Sequence, residues 1–254
     1  MGQSIVTCLT IGLIMASHAF ALNRHKLEVL VKQIYRVGPP THPLQIVRYF
    51  IPDNPHILEA GGHYGDDTIK MMNYWPNATI YSFEPNPSAY AQLKASTKSY
   101  NSVFTYPFAL YNYDGMVQFR IRLDANEGGS SILPPSQDYS ETGHTHDWWY
   151  VEKEIEVPCM TLDSWAKQES IQTVDFMWLD MEGVELQALK AGSDLLKNVK
   201  AIHSEVNFQE FRTGMTQYEA LSKFLEEQGF EEVFFEGSRT FQGNAIFVRS
   251  NLID

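Results

Sequence analysis

Three short stretches of this chain place acids and glycines where an α/β fold holds a ligand. Residues 58–66 read LEAGGHYGD: an acid, Glu59, then Gly61, Gly62 and Gly65 within five positions. Ile57 and Leu58 lead into the stretch, and Asp66, Asp67 and Thr68 follow it. That order predicts a strand, a tight turn and a helix N-terminus, a local structure that can hold a nucleotide. No arrangement of these glycines gives the dinucleotide spacing G-x-G-x-x-G. A pyrophosphate needs close backbone approach and the positive helix end, and acids at positions 59, 66 and 67 repel it. The same acids suit a cationic amino group. S-adenosylmethionine carries a sulfonium, an ammonium and a carboxylate, with no phosphate, so charge favours it over a nicotinamide dinucleotide. The plain alternative is a glycine-rich turn that binds nothing.

The second stretch ends in Glu84, 25 positions after Glu59, and continues as Pro85-Asn86-Pro87. An acid at a strand end can accept hydrogen bonds from both hydroxyls of a ribose, or it can cap the following helix. The third stretch is Asp180-Met181-Glu182-Gly183, after the apolar run 174–179. Ligands of α/β folds bind outside the carboxyl ends of the strands. Two carboxylates there can orient a hydroxyl, accept its proton or hold a metal. Alternatively Asp180 caps a helix that Glu182 and Glu185 favour electrostatically. His203, His144 and His146 are weaker candidates for the same chemistry. His144, His146 and Asp147 could bind a metal, although three polar residues in a loop usually do not. Trp148, Trp149 and Tyr150 could stack on a sugar or anchor their loop.

The elements that must position these residues alternate from residue 56 onward. Strands are expected at 56–60, 78–83, 103–110, 174–179 and 201–206, with helices at 66–74, 88–96 and 218–228 and helix starts at 161 and after 183. Asp114-Gly115 predicts a hairpin turn before an alternating strand at 116–122, and 154–157 predicts a short strand. The closing strands 231–235 and 244–248 read as an antiparallel edge pair. Alternating strands and helices predict an α/β fold, a mostly parallel sheet with helices on both faces. Residues 23–55 read as a helical cap, and 124–150 as a lid-like insertion.

Bulk properties narrow the function classes. The 254 residues suit one large domain and are 44% apolar, enough for a sizeable core. A formal charge of −12 argues against a nucleic-acid partner. The two cysteines, Cys8 and Cys159, leave one if the N-terminus is removed, and no C-x-x-C or H-E-x-x-H suggests a zinc site. Residues 5–22 are largely apolar and end near Ala19-Phe20-Ala21. Residues 1–22 therefore read as a secretory signal peptide or a membrane anchor, with a helix packed on the domain as the plainer alternative. Arg24, Lys26 and Lys32 follow the apolar run and none precedes it, which favours an anchor with a cytosolic domain. A signal peptide instead implies a secreted or periplasmic protein, where the sequon at Asn77 gains relevance.

Taken together, LEAGGHYGDDT, SFEPNP, FALYNYDGMVQF, EVPCMTLDSW and VDFMWLDMEGVELQALKAG resemble the FkbM family of S-adenosylmethionine-dependent methyltransferases. The resemblance runs in order from about residue 56 to 205, and GNAIFV near the end is similar too. It implies a class I (Rossmann-like) methyltransferase fold, a three-layer sandwich over 56–254. It also implies methyl transfer to an oxygen of a sugar or another small molecule. By the same resemblance Glu59, Gly61 and Gly65 fall in the first cofactor motif, Glu84 is the ribose-binding acid, and Ala109 and Leu110 cradle the adenine. Asp180 and Glu182 match the family's D-x-E-G and carry the chemistry. The chain departs from the pattern at Glu59, usually Asp, at Trp178, often Lys, and at His63, commonly Asn. Those departures keep a second expectation alive, a catalytically silent module that binds the cofactor. A nicotinamide oxidoreductase is a more distant third.

Overall fold

A computed structural model describes residues 24–37, 43–123, 127–136 and 152–253. The strands are β1 (His56–Ala60), β2 (Thr79–Phe83), β3 (Val103–Tyr106), β4 (Ala109–Leu110) and β5 (Gly115–Arg122). Then follow β6 (Glu152–Met160), β7 (Phe176–Leu179), β8 (Ala201–Asn207), β9 (Phe230–Gly237) and β10 (Gln242–Arg249). The helices are α1 (Arg24–Val37), α2 (Leu44–Val47), α3 (Asp66–Tyr74), α4 (Pro87–Thr97), α5 (Leu162–Gln168), α6 (Glu185–Lys190), α7 (Ser193–Leu196) and α8 (Tyr218–Glu227).

Seven strands form the main sheet in the order β3-β2-β1-β7-β8-β10-β9. The pairs from β3 through β8 are parallel, and β10 is antiparallel to both of its neighbours. The central strands are apolar on both faces because both are covered. On one face Leu58, Met177 and Ile202 pack with Trp165 of α5, Leu189 of α6 and Leu225 of α8. On the other Ile57, Phe176 and Ala201 pack with Leu27 of α1, Ile46 of α2 and Met71 of α3. Helix, sheet and helix make three layers, as the alternation predicts. Among the described residues no helix is long and apolar enough to cross a membrane. Residues 1–22 lie outside the described part, as do His144, His146, Asp147, Trp148, Trp149 and Tyr150.

Four local expectations are corrected. The strand expected at 103–110 breaks at Pro107, which has no N–H for a ladder, and Ala109-Leu110 joins a second sheet of order β4-β6-β5. Asp114-Gly115 turns the chain without making a hairpin, because β4 and β5 each pair with β6 and not with one another. Asp114 Oδ1 instead accepts the Thr161 N–H at 2.8 Å, which pins the start of α5. The strand expected at 154–157 spans nine residues, since β5 supplies a full antiparallel partner. Finally, α4 begins at Pro87, one residue before the expected start, and its cap is Asn86 rather than Glu84: the Asn86 side chain accepts the Ser88 N–H at 3.0 Å, and Pro87 occupies the first helical position.

Candidate active site

The carboxyl ends of β1, β2 and β7 are tied together at one edge of the sheet. Gly61 and Gly62 both donate to the Phe83 carbonyl, at 3.0 and 2.9 Å, and Asp180 N–H donates to the Ala60 carbonyl at 2.9 Å. The backbones approach so closely that a Cβ on Gly61 would sit 1.9 Å from the Asp180 carbonyl oxygen. Gly61 also has φ of 91°, a left-handed value natural to glycine. A cleft of about 330 Å³ opens at these strand ends. One wall is the glycine turn with Asp66 and Asp67, another is Glu84, and a third is Asp180 with Glu182. The second sheet closes it with Phe108, Ala109, Leu110 and Phe119.

Glu84 is buried at the end of β2. Its two carboxylate oxygens accept the N–H groups of His63 and Asn86, each at 2.8 Å. It therefore holds the glycine turn and the Pro85-Asn86 turn in place while lining the cleft. Its carboxylate is an acceptor group on the cleft wall. Ala109 and Leu110 are buried beside Phe108 and present an apolar slot next to Glu84.

Glu59 stands behind the cleft and does not line it. The side chain is fully buried, and its Oε2 accepts the hydroxyls of Thr68 and of Ser82, the latter at 2.5 Å. Its Oε1 has no hydrogen-bond partner. Burial pushes this carboxyl up to about 7, against the two hydroxyl hydrogen bonds and with help from Asp67 and Glu84. Glu59 thus ties β1 to β2 and to α3 from below. Gly65 also lies off the cleft: it caps α3 at φ of 91°, against Leu93 and Ser96. Asp66 and Asp67, the acids expected to suit a cationic amino group, do line the cleft.

Asp180 and Glu182 face the cleft from the turn after β7. Glu182 has φ of 55° and Gly183 φ of 106°, so the turn holds a non-glycine residue in a strained conformation. What holds it is Glu185, 1% exposed, whose Oε1 accepts the N–H groups of Met181 and Gly183 at 3.0 and 3.2 Å. Val184 occupies the cap position of α6 without a side-chain bond, so Asp180 does not cap that helix. Burial pushes Glu185 up to about 7.

A third carboxylate completes the group. Oxygens of Asp180, Glu182 and Glu205 lie within 4.8 Å of one another. Glu205 comes from β8 and accepts Gln242 Nε2 at 2.7 Å. Burial raises the Asp180 carboxyl to about 6, with Asp67 adding to the effect. Asp180 remains open to solvent through the cleft although protein surrounds it on the other sides. Glu182 is raised by burial and by Asp180, and Arg212 and Arg122 oppose the rise. Glu205 lies well above the usual range, through burial and then the neighbouring Glu182 and Asp180. Three hard oxygen donors at this separation could also hold a divalent cation such as Mg²⁺ or Ca²⁺. Glu205 was reachable from the sequence only as an acid near the end of a predicted buried strand. His203, on the same strand, is buried and stacks on Trp178 with ring centroids 3.7 Å apart. Trp178 belongs to the core on the far face of the sheet, so neither side chain lines the cleft.

A parallel sheet with one reversed strand near its edge, and an acidic ligand cleft at the strand ends, defines a class I methyltransferase. Residues 59–232 match the methyltransferase FkbM domain, and the chain belongs to that family. It is 26% identical over 199 residues to the 2-O-methyltransferase NoeI of Sinorhizobium fredii, spanning 74% of this chain and 80% of that one. It is 24% identical to the methyltransferase sdnD of Sordaria araneosa, spanning 84% and 85%. Among solved structures, the M. capricolum TrmK complex with S-adenosylhomocysteine superposes with a TM-score of 0.45 at 11% identity, covering 84% and 70%.

The family's cofactor is S-adenosylmethionine, and the donor set here fits it. Asp66 and Asp67 match a cationic amino group, Glu84 a ribose diol, and Phe108, Ala109 and Leu110 an adenine ring. The lining includes a single lysine, Lys70, whose amine is 2.8 Å from Asp67 Oδ1. That pairing leaves a poor site for a pyrophosphate.

Proposed function

We propose that this protein methylates an oxygen of a sugar or another small-molecule hydroxyl. The observation that carries the proposal is the placement of Asp180 and Glu182 on the same cleft as Glu84 and the glycine turn. A base and a cofactor-binding acid on one cleft would bring an acceptor oxygen within reach of a bound donor. The name of the relative NoeI, a 2-O-methyltransferase, supports the choice of oxygen.

When bound, S-adenosylmethionine supplies a methyl group activated by its sulfonium. Glu84 would hold the ribose through its carboxylate, and Ala109 and Leu110 would offer the adenine an apolar surface. Asp180 orients the acceptor hydroxyl and accepts its proton as the oxygen attacks. Glu182 supports Asp180 from the same turn. Alignment of acceptor and donor supplies most of the rate, and proton removal by a positioned carboxylate contributes roughly 10²- to 10⁴-fold.

The purified protein, given S-adenosylmethionine and a panel of sugars, alcohols and phenols, should release S-adenosylhomocysteine and an O-methyl product detectable by mass spectrometry. Methylation confined to amines or carbon acids, or no product from any hydroxyl acceptor, would overturn the proposal.

A further inference from the structure

The cleft is lined by acids, with one exception. Asp66, Asp67, Glu84, Asp180 and Glu182 bring negative charge to it, and among the described residues of the lining Lys70 is the one lysine or arginine. We infer that Lys70 selects the cofactor: its ammonium receives the α-carboxylate of S-adenosylmethionine while Asp67 receives the α-ammonium, so that the site recognises the donor as a whole amino acid. The inference concerns the donor and does not depend on which acceptor is methylated.

Charge gives the first reason. The amino-acid end of the cofactor carries a carboxylate as well as an ammonium. A carboxylate brought in among these acids is repelled by them and needs a cation beside it. Lys70 supplies that cation on the wall that also carries Asp66 and Asp67.

Spacing gives the second. Lys70 and Asp67 lie one turn apart on α3, and the lysine amine is 2.8 Å from Asp67 Oδ1. Residues at that spacing share a helix face. The two charged groups of an α-amino acid hang on one carbon, so opposite charges already side by side match them. A pyrophosphate would take Lys70 and leave Asp67 without its cation, whereas a zwitterion gives each side chain a new partner.

Exposure gives the third. The side chains of Lys70 and Asp67 are 51% and 36% exposed. A pair this accessible to water contributes little to the fold, so exchanging it for two pairs with a ligand is cheap. Helix α3 also follows directly from the glycine turn, while Ala109 and Leu110 stand on the second sheet. The charged pair and the apolar slot are therefore on different walls, as the two ends of the cofactor require.

Calorimetry on the full chain, freed of bound ligand, tests this without turnover. The probes are S-adenosylhomocysteine, its decarboxylated analogue, and 5′-methylthioadenosine, which lacks the amino-acid end. The wild type should bind S-adenosylhomocysteine at least about tenfold more tightly than the decarboxylated analogue, the scale of one charged hydrogen bond. Lys70→Met should abolish that preference by weakening S-adenosylhomocysteine about tenfold or more, with 5′-methylthioadenosine held within about twofold and the decarboxylated analogue bound no more weakly. Lys70→Arg should keep the preference. Lys70 is a surface residue, so both variants should fold, and a thermal melt checks this. Four results would each overturn the inference: no binding of S-adenosylhomocysteine, equal affinity of the wild type for it and its decarboxylated analogue, a preference that survives Lys70→Met, or a parallel loss of all three ligands in that variant. Turnover reads the other proposal separately. A carboxylate preference lost in Lys70→Met, without any O-methyl product from the wild type, would count against O-methylation alone. An O-methyl product with the preference intact in Lys70→Met would count against the role of Lys70 alone.

Discussion

Glu84 joins two backbone turns and faces the cleft, so its removal should act on the cofactor directly. Glu84→Ala is expected to weaken S-adenosylmethionine binding by roughly 1–3 kcal/mol, the cost of lost charged hydrogen bonds. Calorimetry showing unchanged affinity would take Glu84 out of the site. Asp180 makes a different prediction. Burial holds its carboxyl near 6, and a base must be ionised to accept a proton. Activity should therefore rise with pH through about 6 and level off above it, with Asp180→Asn lowering kcat about 10²- to 10⁴-fold. A pH profile of kcat/KM that is flat across that range would remove Asp180 as the base. Glu84, Asp180 and Glu182 could be read from the sequence because each ends or closely follows an apolar run, where an acid has no reason to help a strand. Glu205 could not, since AIHSEVN reads as one more buried strand and its partners are distant in sequence. Glu185 was visible only as a charge near a helix start. Its two bonds to the Met181 and Gly183 N–H groups depend on a backbone shape no local pattern encodes.

At the scale of elements, the close approach of the β1 and β7 ends sets the site. Gly61 is required there twice over, by its φ of 91° and by the 1.9 Å that any Cβ would leave to the Asp180 carbonyl. Gly61→Ala should destabilise the fold by roughly 3 kcal/mol or more and weaken cofactor binding with it. A denaturation midpoint equal to the wild type would show that the two strand ends are not in contact. The strands β1, β2, β7 and β8 and the helices α3 and α8 were readable almost to the residue, because apolar runs of strand length alternate with helical spacing and end in glycine or proline. The small sheet was not. Its members pair across long sequence separations, with β4 and β5 both on β6, and a two-residue strand carries no periodicity. The consequence for the site was the misplacement of Ala109 and Leu110 at the end of a long strand, when they belong to the sheet that roofs the cleft.

The whole molecule gathers several buried carboxyls at one edge of the sheet, and this sets how its stability responds to pH. Glu59 rises from 4.5 to about 7 on folding, so the folded chain binds that proton more tightly than the unfolded one. Stability should therefore fall as pH rises from about 4.5 to about 7 and change little beyond, by up to roughly 3 kcal/mol for this group. Glu59→Gln keeps an acceptor for Thr68 and Ser82 and should flatten that fall. An equally steep decline in the variant, measured by urea unfolding at several pH values, would assign the effect to other groups. The placement of β10 carries a consequence of another kind. It follows every other strand in sequence, yet it lies between β8 and β9, and its Gln242 holds Glu205. During synthesis β1, β2, β7 and the turns that form the cofactor cleft are all made before it. A nascent chain can therefore assemble the cofactor cleft while β9 has no partner and Glu205 has no anchor. The last part of the site to be set is the carboxylate group that would act on an acceptor, and it is set only when the sheet closes.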